Sequence, residues 1–470
     1  MTVRIGCDEA GRFTACAFDG DFNTGAWASW GPTVANRVPV HASGPYLMPH
    51  YRAATRAVLT HCHPSGAFRG FGVPQAMAAL ETAIDLLAEK AGRDPLEFRL
   101  LNALRNGQPT VTGQVFERGV GIMECLEALR SAWQRGKADA AEFNAAHAGT
   151  PLRRGVGIAT CWYGCGNTSL PNPSTIRMGV TADGRVVLHQ GAMDIGQGAN
   201  TVIAQIAADA LGVPVEALQL IGPDTDVTPD AGKTSASRQT FVTGNAARLA
   251  GEALRAHILR HANVDDTARL AFFNGRIEID DTTGRRDLLL NALPVNDFGY
   301  VIMREETWDP PVSKLDADGQ GAPYAIYGYG AHVVELTVDT GLGTVKLDRI
   351  TAAHDVGRAI NPVLVEGQIE GGIAQGIGLA LMENHIPGRT ENLHDYLIPT
   401  FGDVPPIDSI IVEVPDPTGP FGAKGLGEHV LIPTAPAILN ALRNACGAEI
   451  ADLPATPDKV LAAIRKGSGR

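Results

Sequence analysis

The segment Gly422-Ala423-Lys424-Gly425-Leu426-Gly427-Glu428 sets three glycines around one lysine and ends on a glutamate. Glycine lets the backbone approach a bound group closely and adopt positive φ angles without steric cost. A carboxylate at the end of such a loop can lie against a ligand and lose part of its hydration. Dehydration raises the pKa of a carboxyl group and suits it to accept a proton. The loop alone is a weak signal, so the other segments must decide between a catalytic base and an ordinary turn.

The composition is that of a folded protein with more than one domain. The chain has 470 residues, whereas single hydrophobic cores stop growing near about 250–300 residues. The apolar fraction of 44% is typical of globular proteins. The formal net charge of −12 argues against a surface for nucleic acid or anionic membrane, because such a surface needs clustered Lys and Arg.

The cysteines and the apolar runs indicate the setting of the chain. Seven cysteines are scattered from Cys7 to Cys446, which is not the pattern of a disulfide framework. No apolar run approaches the ~18 residues of a membrane span, and residues 1–4 lead into a predicted hairpin without a secretory signal. We therefore expect a reduced, cytoplasmic protein.

Three β-hairpins are predicted along the chain. Apolar alternation around an Asp/Gly turn, the signature of a hairpin, occurs over residues 3–18, 176–188 and 333–347. The second and third hairpins run into similar loops, 194–198 (DIGQG) and 355–358 (DVGR). This recurrence favours an α+β architecture built from related units, while chance explains three common hairpins equally well.

Helices are predicted after the hairpins. One begins at Pro74, and a capped start at Asp94 follows it. Apolar periodicity predicts four more helices, over residues 201–211, 243–261, 366–383 and 434–446. The polar stretch 134–154 has no clear period, and it is predicted to be a linker with a domain boundary near residue 150.

The predicted helix over residues 366–383 has two unusual features. It contains five glycines, which would destabilise a free helix by about 1 kcal/mol each relative to alanine. They indicate close approach of the helix backbone, either to a ligand or to another helix. Gln368 and Gln375 lie seven residues apart and therefore share one face.

Three other segments offer groups suited to ligand binding. Arg69 lies between Phe68 and Phe71 in a glycine-rich loop, where its guanidinium could donate to a carboxylate, carbonyl or phosphate. The alternative is a structural ion pair. Gln197 lies between two glycines, and residues 233–240 (KTSASRQT) offer hydroxyl and backbone N–H groups. These groups can hold an anion or form a plain helix cap.

Several enzyme classes lack their motifs in this sequence. The chain has no Walker Gly-x4-Gly-Lys-Ser/Thr, and no Gly-x-Gly-x-x-Gly placed between a strand and a helix. A nicotinamide-dependent oxidoreductase is therefore disfavoured. The chain also lacks the Gly-x-Ser-x-Gly elbow of α/β-hydrolases.

Taken together, the segments resemble the molybdopterin-binding large subunit of the molybdenum hydroxylases, the xanthine dehydrogenase family. They occur in the order of that family over nearly the whole chain. The matching segments are 66–75 (GAFRGFGVPQ), 194–198 (DIGQG), 234–237 (TSAS), 355–362 (DVGRAINP), 367–376 (GQIEGGIAQG) and 422–428 (GAKGLGE). The resemblance implies an α+β fold with two related cofactor-binding domains of β-hairpins, mixed sheets and packed helices. We expect the first domain to include residues 1–150 and the second to span residues 151–470.

The resemblance also implies roles for individual residues. Glu428 takes the place of the catalytic base, and Arg69 that of an arginine that orients the substrate and stabilises developing negative charge. Tyr163 corresponds roughly to an aromatic residue that flanks the bound ring in the substrate pocket. The residues assigned to cofactor binding are Phe68, Gln197, Gly198, Ser235, Ala236, Ser237, Gln375 and Gly427. The metal itself takes no protein ligand in the family, because the dithiolene of the pterin holds it.

The cofactor implied is molybdenum-molybdopterin, in its plain or its cytosine dinucleotide form. The matching segments start about half-way along the family's large subunit, and the Gly-Gly-Phe-Gly-Gly-Lys cofactor loop has no counterpart. We therefore expect a partner chain that supplies the missing half and completes the domain of residues 1–150. No iron–sulfur or flavin motif is present, so the resemblance implies an iron–sulfur subunit and an FAD subunit as electron acceptors.

The substrate implied is an electron-poor N-heteroaromatic, nicotinate-like or purine-like, hydroxylated with oxygen from water. Residues 164–173 (GCGNTSLPNP) resemble those of nicotinate and purine hydroxylases, and Arg69 suits an anionic or carbonyl-bearing ring. The sequence Phe68-Arg69-Gly70 differs from the cysteine-bearing loop of the carbon monoxide dehydrogenase branch. The alternatives are an aldehyde oxidoreductase of the same family and a non-catalytic scaffold subunit, although a scaffold would not need Glu428, Arg69 and Gln197.

Overall fold

The computed structural model describes residues 1–467, in which fourteen strands and ten helices alternate along the chain. The strands are β1 Thr2–Cys7, β2 Phe13–Gly25, β3 His50–Leu59, β4 Leu152–Gly164, β5 Ser174–Val180, β6 Val186–Gln190, β7 Leu218–Ile221, β8 Arg269–Phe273, β9 Arg276–Asp281, β10 Gly284–Leu289, β11 Ile302–Trp308, β12 Tyr327–Asp339, β13 Thr344–Asp355 and β14 Ile407–Val412. The helices are α1 Gly31–His41, α2 Val73–Lys90, α3 Pro95–Asn102, α4 Ile122–Ala128, α5 Arg130–Ala146, α6 Ala199–Leu211, α7 Gly244–Ala262, α8 Pro362–Ile377, α9 Thr434–Cys446 and α10 Pro457–Gly467. The architecture is α+β, as the sequence predicts.

The three predicted hairpins are present and belong to three different sheets. The pairs β1–β2, β5–β6 and β12–β13 are each antiparallel. The sheets have the strand orders β1-β2-β3, β11-β5-β6-β7 and β14-β13-β12-β4, and a fourth sheet has the order β10-β9-β8. The long pairing of β12 with β4 joins residues 152–164 to residues 327–339.

A repeated unit extends each hairpin beyond what the sequence shows. Helix α1 follows β2, α6 follows β6 and α8 follows β13. A strand then returns parallel to the second strand of the hairpin, as β3 beside β2, β7 beside β6 and β14 beside β13. The chain therefore contains a ββαβ unit three times, which confirms the predicted recurrence at the level of topology.

The predicted helices form, and their starts follow the local signals. Asp94 caps α3 by accepting hydrogen bonds from the backbone N–H groups of Leu96 and Glu97. Helix α8 begins earlier than predicted, at Pro362, because Asn361 caps it through the N–H of Leu364. A π-helical turn over Gly378–Met382 continues it.

The glycines of α8 have different neighbours. A Cβ atom at Gly372 would overlap Val430, and one at Gly376 would overlap Thr434, whereas Gly371 has open space. The closest approaches are thus to Val430 and to Thr434 at the start of α9, so packing against other parts of the protein explains these two glycines.

The predicted linker over residues 134–154 is wrong as a description of local structure. Residues 130–146 form helix α5, which buries Ala132, Trp133 and Ala140. The indole N–H of Trp133 donates to the Asp94 carboxylate at 3.0 Å, which ties α5 to the start of α3. The prediction failed because the buried side of this helix is made mostly of small alanines around one tryptophan, which leaves the composition of the segment polar.

The hydrophobic core extends across residue 150. One cluster packs Leu96, Ile122 and Trp133 against Ile158 and Tyr329. Burial of such a continuous cluster is the main favourable contribution to folding. The domain division near residue 150 remains a prediction, and the site described next draws on residues from both sides of it.

Candidate active site

A cavity of about 640 Å³ collects the segments singled out in the sequence. Its lining combines glycine backbone, hydroxyls and amides with one carboxylate. The residues are Ala67, Phe68, Arg69, Phe71, Ile195, Gly196, Gln197, Thr234, Ser235, Ser237, Arg238, Gln239, Thr240, Gln368, Gln375, Gly425, Leu426, Gly427 and Glu428. Of the site residues predicted from the sequence, Gly198, Ala236 and Tyr163 are outside this lining, and the rest belong to it.

Glu428 is a buried residue whose two carboxylate oxygens differ: one accepts hydrogen bonds from the protein and the other does not. Its Oε2 accepts a hydrogen bond from the backbone N–H of Gly70 at 3.0 Å and another from the Tyr163 hydroxyl. Its own N–H donates to the Ser237 hydroxyl at 3.0 Å. No described residue donates to Oε1. The side chain is only 9% exposed, so Oε2 fixes the carboxylate while Oε1 is left to meet a ligand.

Tyr163 is a fully buried residue on β4 whose hydroxyl contacts the carboxylate of Glu428. Burial raises the pKa of its hydroxyl well above the ordinary value, the neighbouring Arg37 cation lowers it, and the Glu428 charge raises it. The hydroxyl therefore stays protonated and donates to Oε2. The structure brings Tyr163 to the predicted base, whereas its predicted place beside a bound ring remains a prediction.

Arg69 is held mainly by groups of this chain. Its Nε donates to the carbonyl of Gly427 at 2.5 Å and its Nη1 to Oε1 of Gln375 at 3.1 Å. Its Nη2 donates to Oε1 of Gln368 at 2.9 Å and to the Gln368 carbonyl at 3.4 Å. Burial lowers the pKa of the guanidinium, and the Glu428 charge opposes that shift. Of five N–H donors, one on Nη1 is left for a ligand.

The predicted glutamine pair on α8 is confirmed by these contacts. Both Gln368 and Gln375 use Oε1 to accept from Arg69, so each presents its Nε2 amide without a partner among the described residues. Both side chains line the cavity. The sequence placed them on one face of a helix, but only the structure shows that Arg69 orients them.

Gln197 lies in a loop that is stabilised by its own side chains. Its Oε1 accepts from the N–H of Ile195 at 2.6 Å, and its Nε2 donates to the Met193 carbonyl at 3.2 Å. Gly198 has a φ of 83° and caps α6, while Asp194 accepts from its N–H at 3.2 Å. Internal hydrogen bonds therefore hold the shape of this loop at the cavity. Its polar side chains are largely used in those bonds.

The hydroxyl loop before α7 has three distinct surroundings. Ser237 supports Glu428, Ala236 is buried at 3% exposure, and Ser235 lines the cavity. Ala236 and Ser237 have φ angles of 57° and 53°, the left-handed region that L-residues rarely adopt. The strained turn brings the Ser237 carbonyl so close to Gly425 that a Cβ atom there would overlap it.

Lys424 anchors the glycine-rich loop from inside the protein. Its Nζ donates to Oδ2 of Asp355 at 2.5 Å and to the carbonyl of Gly119 at 2.6 Å, and both charged side chains are 0% exposed. Burial raises the pKa of Asp355, and the lysine charge opposes that shift. The lysine is therefore structural, and the end of the loop, from Gly425 to Glu428, lines the cavity.

Sequence reasoning missed two buried arginines beside the site. Arg37 lies on α1 under Tyr163, and Arg238 donates to Oδ1 of Asn172 at 2.8 Å and to the Pro173 carbonyl at 2.7 Å. Burial lowers the pKa of Arg238 to about 10, opposed by two nearby aspartates. The only signal for them in the sequence was an arginine within an otherwise apolar or small-residue segment, which is too common to single out.

The residues present suit a polar, anionic cofactor. Around the cavity the hydroxyls of Ser235 and Thr240 and the Nε2 amides of Gln368 and Gln375 have no hydrogen-bond partner among the described residues. Unpaired donors that converge on one cavity can bind a pterin ring or its phosphate. Glu428 is the carboxylate of the lining, which would place one proton acceptor beside such a group.

Comparisons with known proteins show which family the chain is similar to. The profile of the molybdopterin cofactor-binding domain matches residues 127–405, and a second profile of the same description matches residues 1–103. The xanthine dehydrogenase molybdenum-binding subunit of Escherichia coli O157:H7 is 34% identical over 97% of this chain and 61% of its own length. The aldehyde oxidoreductase of Megalodesulfovibrio gigas is 33% identical over 99% of this chain and 49% of its own length.

Solved structures show the same relationship. The aldehyde oxidoreductase from Desulfovibrio desulfuricans superposes with a TM-score of 0.86 at 32% identity, and the match covers 98% of this chain and 48% of the other. Fold and site thus define a molybdopterin cofactor-binding protein. This chain belongs to the molybdenum hydroxylase family, also known as the xanthine dehydrogenase family. It spans about half to three fifths of the length of the relatives that it matches.

Within residues 1–467, no helix is both long enough and apolar enough to cross a membrane.

Proposed function

We propose that this chain is the molybdopterin-binding catalytic subunit of a molybdenum hydroxylase that acts on an N-heteroaromatic substrate. The observation that carries the proposal is the geometry of Glu428. A carboxylate that is almost buried keeps one oxygen free toward a cavity lined with unpaired donors. Because Oε2 is held by Gly70 and Tyr163, Oε1 is the oxygen that remains to accept a proton from a ligand in the cavity.

Different residues of the chain have different roles in the proposed reaction. When bound, the molybdenum cofactor supplies the two-electron redox chemistry of hydroxylation. Glu428 accepts a proton at Oε1, while Gly70 and Tyr163 hold Oε2 and keep the carboxylate in position. Arg69 directs the amides of Gln368 and Gln375 toward the cavity and offers one remaining N–H to the substrate.

The substrate class follows from these donors. The amides of Gln368 and Gln375 and one N–H of Arg69 are unpaired donors at the cavity, which suits ring nitrogens, carbonyls or a carboxylate of a nicotinate-like or purine-like molecule. Phe68 is 37% exposed at the cavity and offers an aromatic face to a planar ring. An aldehyde is the second candidate, and the strong similarity to aldehyde oxidoreductases favours it.

Partner chains are part of the proposal. Large apolar side chains are exposed at the site: Ile195 of the lining is 72% exposed, and Trp30, whose ring centre lies 6.2 Å from that of Phe71, is 43% exposed. Exposed apolar groups around a polar cavity are typical of surfaces that another chain covers. We infer that a partner chain covers this surface, and that iron–sulfur and FAD subunits carry the electrons away.

The test starts from the purified native complex. Molybdenum is measured per copy of this chain, in the complex and for the chain expressed alone. Turnover is then assayed with nicotinate, purines and aldehydes. We expect about one molybdenum per chain in the complex, little in the chain alone, and turnover of a heterocycle. A metal-free complex that stays inactive after treatment with sulfide would refute a catalytic role.

The base assignment is tested by Glu428→Gln. Loss of the proton acceptor should leave molybdenum content unchanged and lower kcat by about 10²–10⁴-fold. Glu370→Gln on α8 is the matched control, because that glutamate is exposed and outside the cavity lining. Turnover of Glu428→Gln within a few-fold of the control would show that another group accepts the proton.

A further inference from the structure

Arg37 is a buried arginine whose guanidinium has no acidic hydrogen-bond partner. The residue is 2% exposed. Its Nη1 donates to the Gly164 carbonyl at 3.2 Å and its Nη2 to the Gly166 carbonyl at 2.5 Å, while Nε has no partner. A buried cation is costly unless charge or polarisable groups compensate it. Its compensation must therefore come from beyond these two carbonyls.

Three aromatic rings surround the guanidinium. Its central carbon lies 4.6 Å from the ring centre of Tyr163, 5.0 Å from that of Tyr324 and 5.3 Å from that of Phe71. Cations over aromatic faces are stabilised by the ring quadrupole, most strongly where water is excluded. The Tyr163 ring is the nearest of the three, and its hydroxyl continues to Oε2 of Glu428.

Glu428 is the carboxylate among the ionisable groups that act on Arg37. The others are Tyr163, Tyr324 and Cys165. Burial raises the pKa of both tyrosines, and burial raises the pKa of Cys165 to about 12, so these three are neutral at neutral pH. Arg37 and Glu428 are therefore the two oppositely charged groups of this buried cluster, and the side chain of Tyr163 connects them.

The neighbouring histidine adds no second cation. His41 accepts from the N–H of Gly164 at 3.0 Å through Nε2, and its Nδ1 lies 2.9 Å from the Arg37 carbonyl. Burial, together with the smaller effect of the Arg37 charge, lowers the pKa of His41 to about 3. A neutral ring with Nδ1 protonated satisfies both contacts, so His41 adds no positive charge to that of Arg37.

We propose that Arg37 is a positioning residue for the base: its charge, acting through the ring and hydroxyl of Tyr163, stabilises the Glu428 carboxylate and keeps Oε1 directed at the cavity. A cation over the ring makes the phenol a better donor, which strengthens its hydrogen bond to Oε2. This inference rests on the proposed function for its catalytic meaning, but it concerns a property of Glu428 that can be measured without turnover.

Four charged or titratable groups face Glu428 from the elements around it. They are Arg37 of α1, Arg69 of the loop before α2, Tyr163 of β4 and Tyr324 of the segment before β12. The arginine at position 69 stays unchanged in every variant below. A change in the titration of Glu428 therefore reports the contribution of Arg37 and its tyrosine.

The experiment follows the protonation of Glu428 by infrared difference spectroscopy of the native complex. The carbonyl stretch of the protonated carboxyl group is assigned by its absence in Glu428→Gln. The pH midpoint of that band is compared in the wild type, Arg37→Gln, Arg37→Lys, Tyr163→Phe and the Arg37→Gln/Tyr163→Phe double variant. Arg37→Gln keeps a donor for the two carbonyls but removes the charge, whereas Arg37→Lys keeps the charge.

We expect Arg37→Gln to move the midpoint upward by about one pH unit or more, a tenfold change in proton affinity. Arg37→Lys should stay closer to the wild type. Tyr163→Phe should also raise the midpoint, and the double variant should shift no further than the larger single change, because both act through one contact. The acidic limb of the kcat profile should move in the same direction while molybdenum content is unchanged.

A well-folded Arg37→Gln with an unchanged midpoint would overturn the proposal and leave Arg37 a packing residue. If that variant does not fold, Tyr163→Phe decides, because it removes no charge and little volume. An unchanged midpoint in Tyr163→Phe would show that Arg37 does not act on Glu428 through Tyr163. A wild-type complex without hydroxylase activity would refute the proposed function, yet the infrared titration would still test the role of Arg37.

Discussion

Three buried histidines form a cluster next to the glycine-rich loop that ends at Glu428. His332 and His354 approach each other through their Nε2 atoms at 2.8 Å, and the rings of His354 and His429 are 5.0 Å apart. Burial lowers the pKa of all three, that of His354 to about 3. Neither ring nitrogen of His429 has a hydrogen-bond partner. The cluster is therefore neutral in the folded protein at any physiological pH.

This cluster should make the protein sensitive to acid. The unfolded chain protonates its histidines near pH 6.5, whereas the folded chain does so only far lower, so the unfolded state binds more protons in between. Stability is complete above pH 6.5 and falls below it, by about 1.4 kcal/mol per pH unit for each such histidine. Urea unfolding between pH 5 and 8 measures the slope.

The matched variants are His429→Leu and His261→Gln. The first removes a buried titrating ring without losing a hydrogen bond, so the dependence on pH should become shallower by about one proton. The second changes an exposed histidine on α7 and should leave the slope unchanged. Equal slopes in the wild type and His429→Leu would mean that the cluster is not what titrates on unfolding.

Among the structural elements, the glycine-rich loop shows what a sequence can and cannot tell. Its glycines and terminal glutamate predicted a carboxylate facing a ligand, and Glu428 does line the cavity. The role of Lys424 was hidden, because its partner Asp355 is 69 residues away in the sequence. Three hairpins and six of the ten helices were predictable from local signals. Helix α5 was not, because its apolar side is made of alanines and Trp133.

Breaking the pair of Lys424 and Asp355 should dislodge the loop. Lys424→Met leaves a buried aspartate without a counter-charge, which typically costs about 3–5 kcal/mol. We expect a large loss of stability by urea unfolding, together with loss of bound molybdenum. Adding Asp355→Asn removes the stranded charge while it keeps an acceptor for the Gly357 N–H, so the double variant should recover part of the loss.

The control for this prediction is the exposed pair of Lys459 and Asp452. That pair has side-chain exposures of 26% and 81%, so Lys459→Met should cost less than about 1 kcal/mol. If Lys424→Met were as mild as Lys459→Met, the buried pair would not anchor the loop.

At the scale of the whole molecule, the site is assembled from segments far apart in the chain. The contact from Arg69 to Gly427 spans 358 residues, and that from Tyr163 to Glu428 spans 265. Motif order identified most of the lining residues from the sequence. No sequence pattern could show which of their donors form hydrogen bonds with other lining residues, since that depends on distances between segments. The same reason hid Arg37, whose backbone acceptors lie 127 and 129 residues away.

A buried polar network also links the two sides of residue 150. Glu81 on α2 accepts from Arg99 at 2.8 Å, from the Tyr46 hydroxyl at 2.6 Å and from the Thr160 hydroxyl on β4 at 2.7 Å. Glu81 and Arg99 have fully buried side chains. The network is complete only when β4 is in place. Its charges would otherwise be left without some of their hydrogen bonds, which is costly inside a protein.

A fragment of residues 1–150 should therefore not fold by itself. It would keep Glu81 and Arg99 but lose Thr160, and it would expose the face of the core that packs on Ile158 and Tyr329. We expect such a fragment to give a poorly dispersed NMR spectrum and no cooperative unfolding, while the full chain unfolds its β4 and α2 together. Thr160→Val in the full chain, which removes one hydroxyl from the network, should cost about 1–3 kcal/mol. A well-dispersed, cooperatively unfolding fragment would show that residues 1–150 form an independent domain.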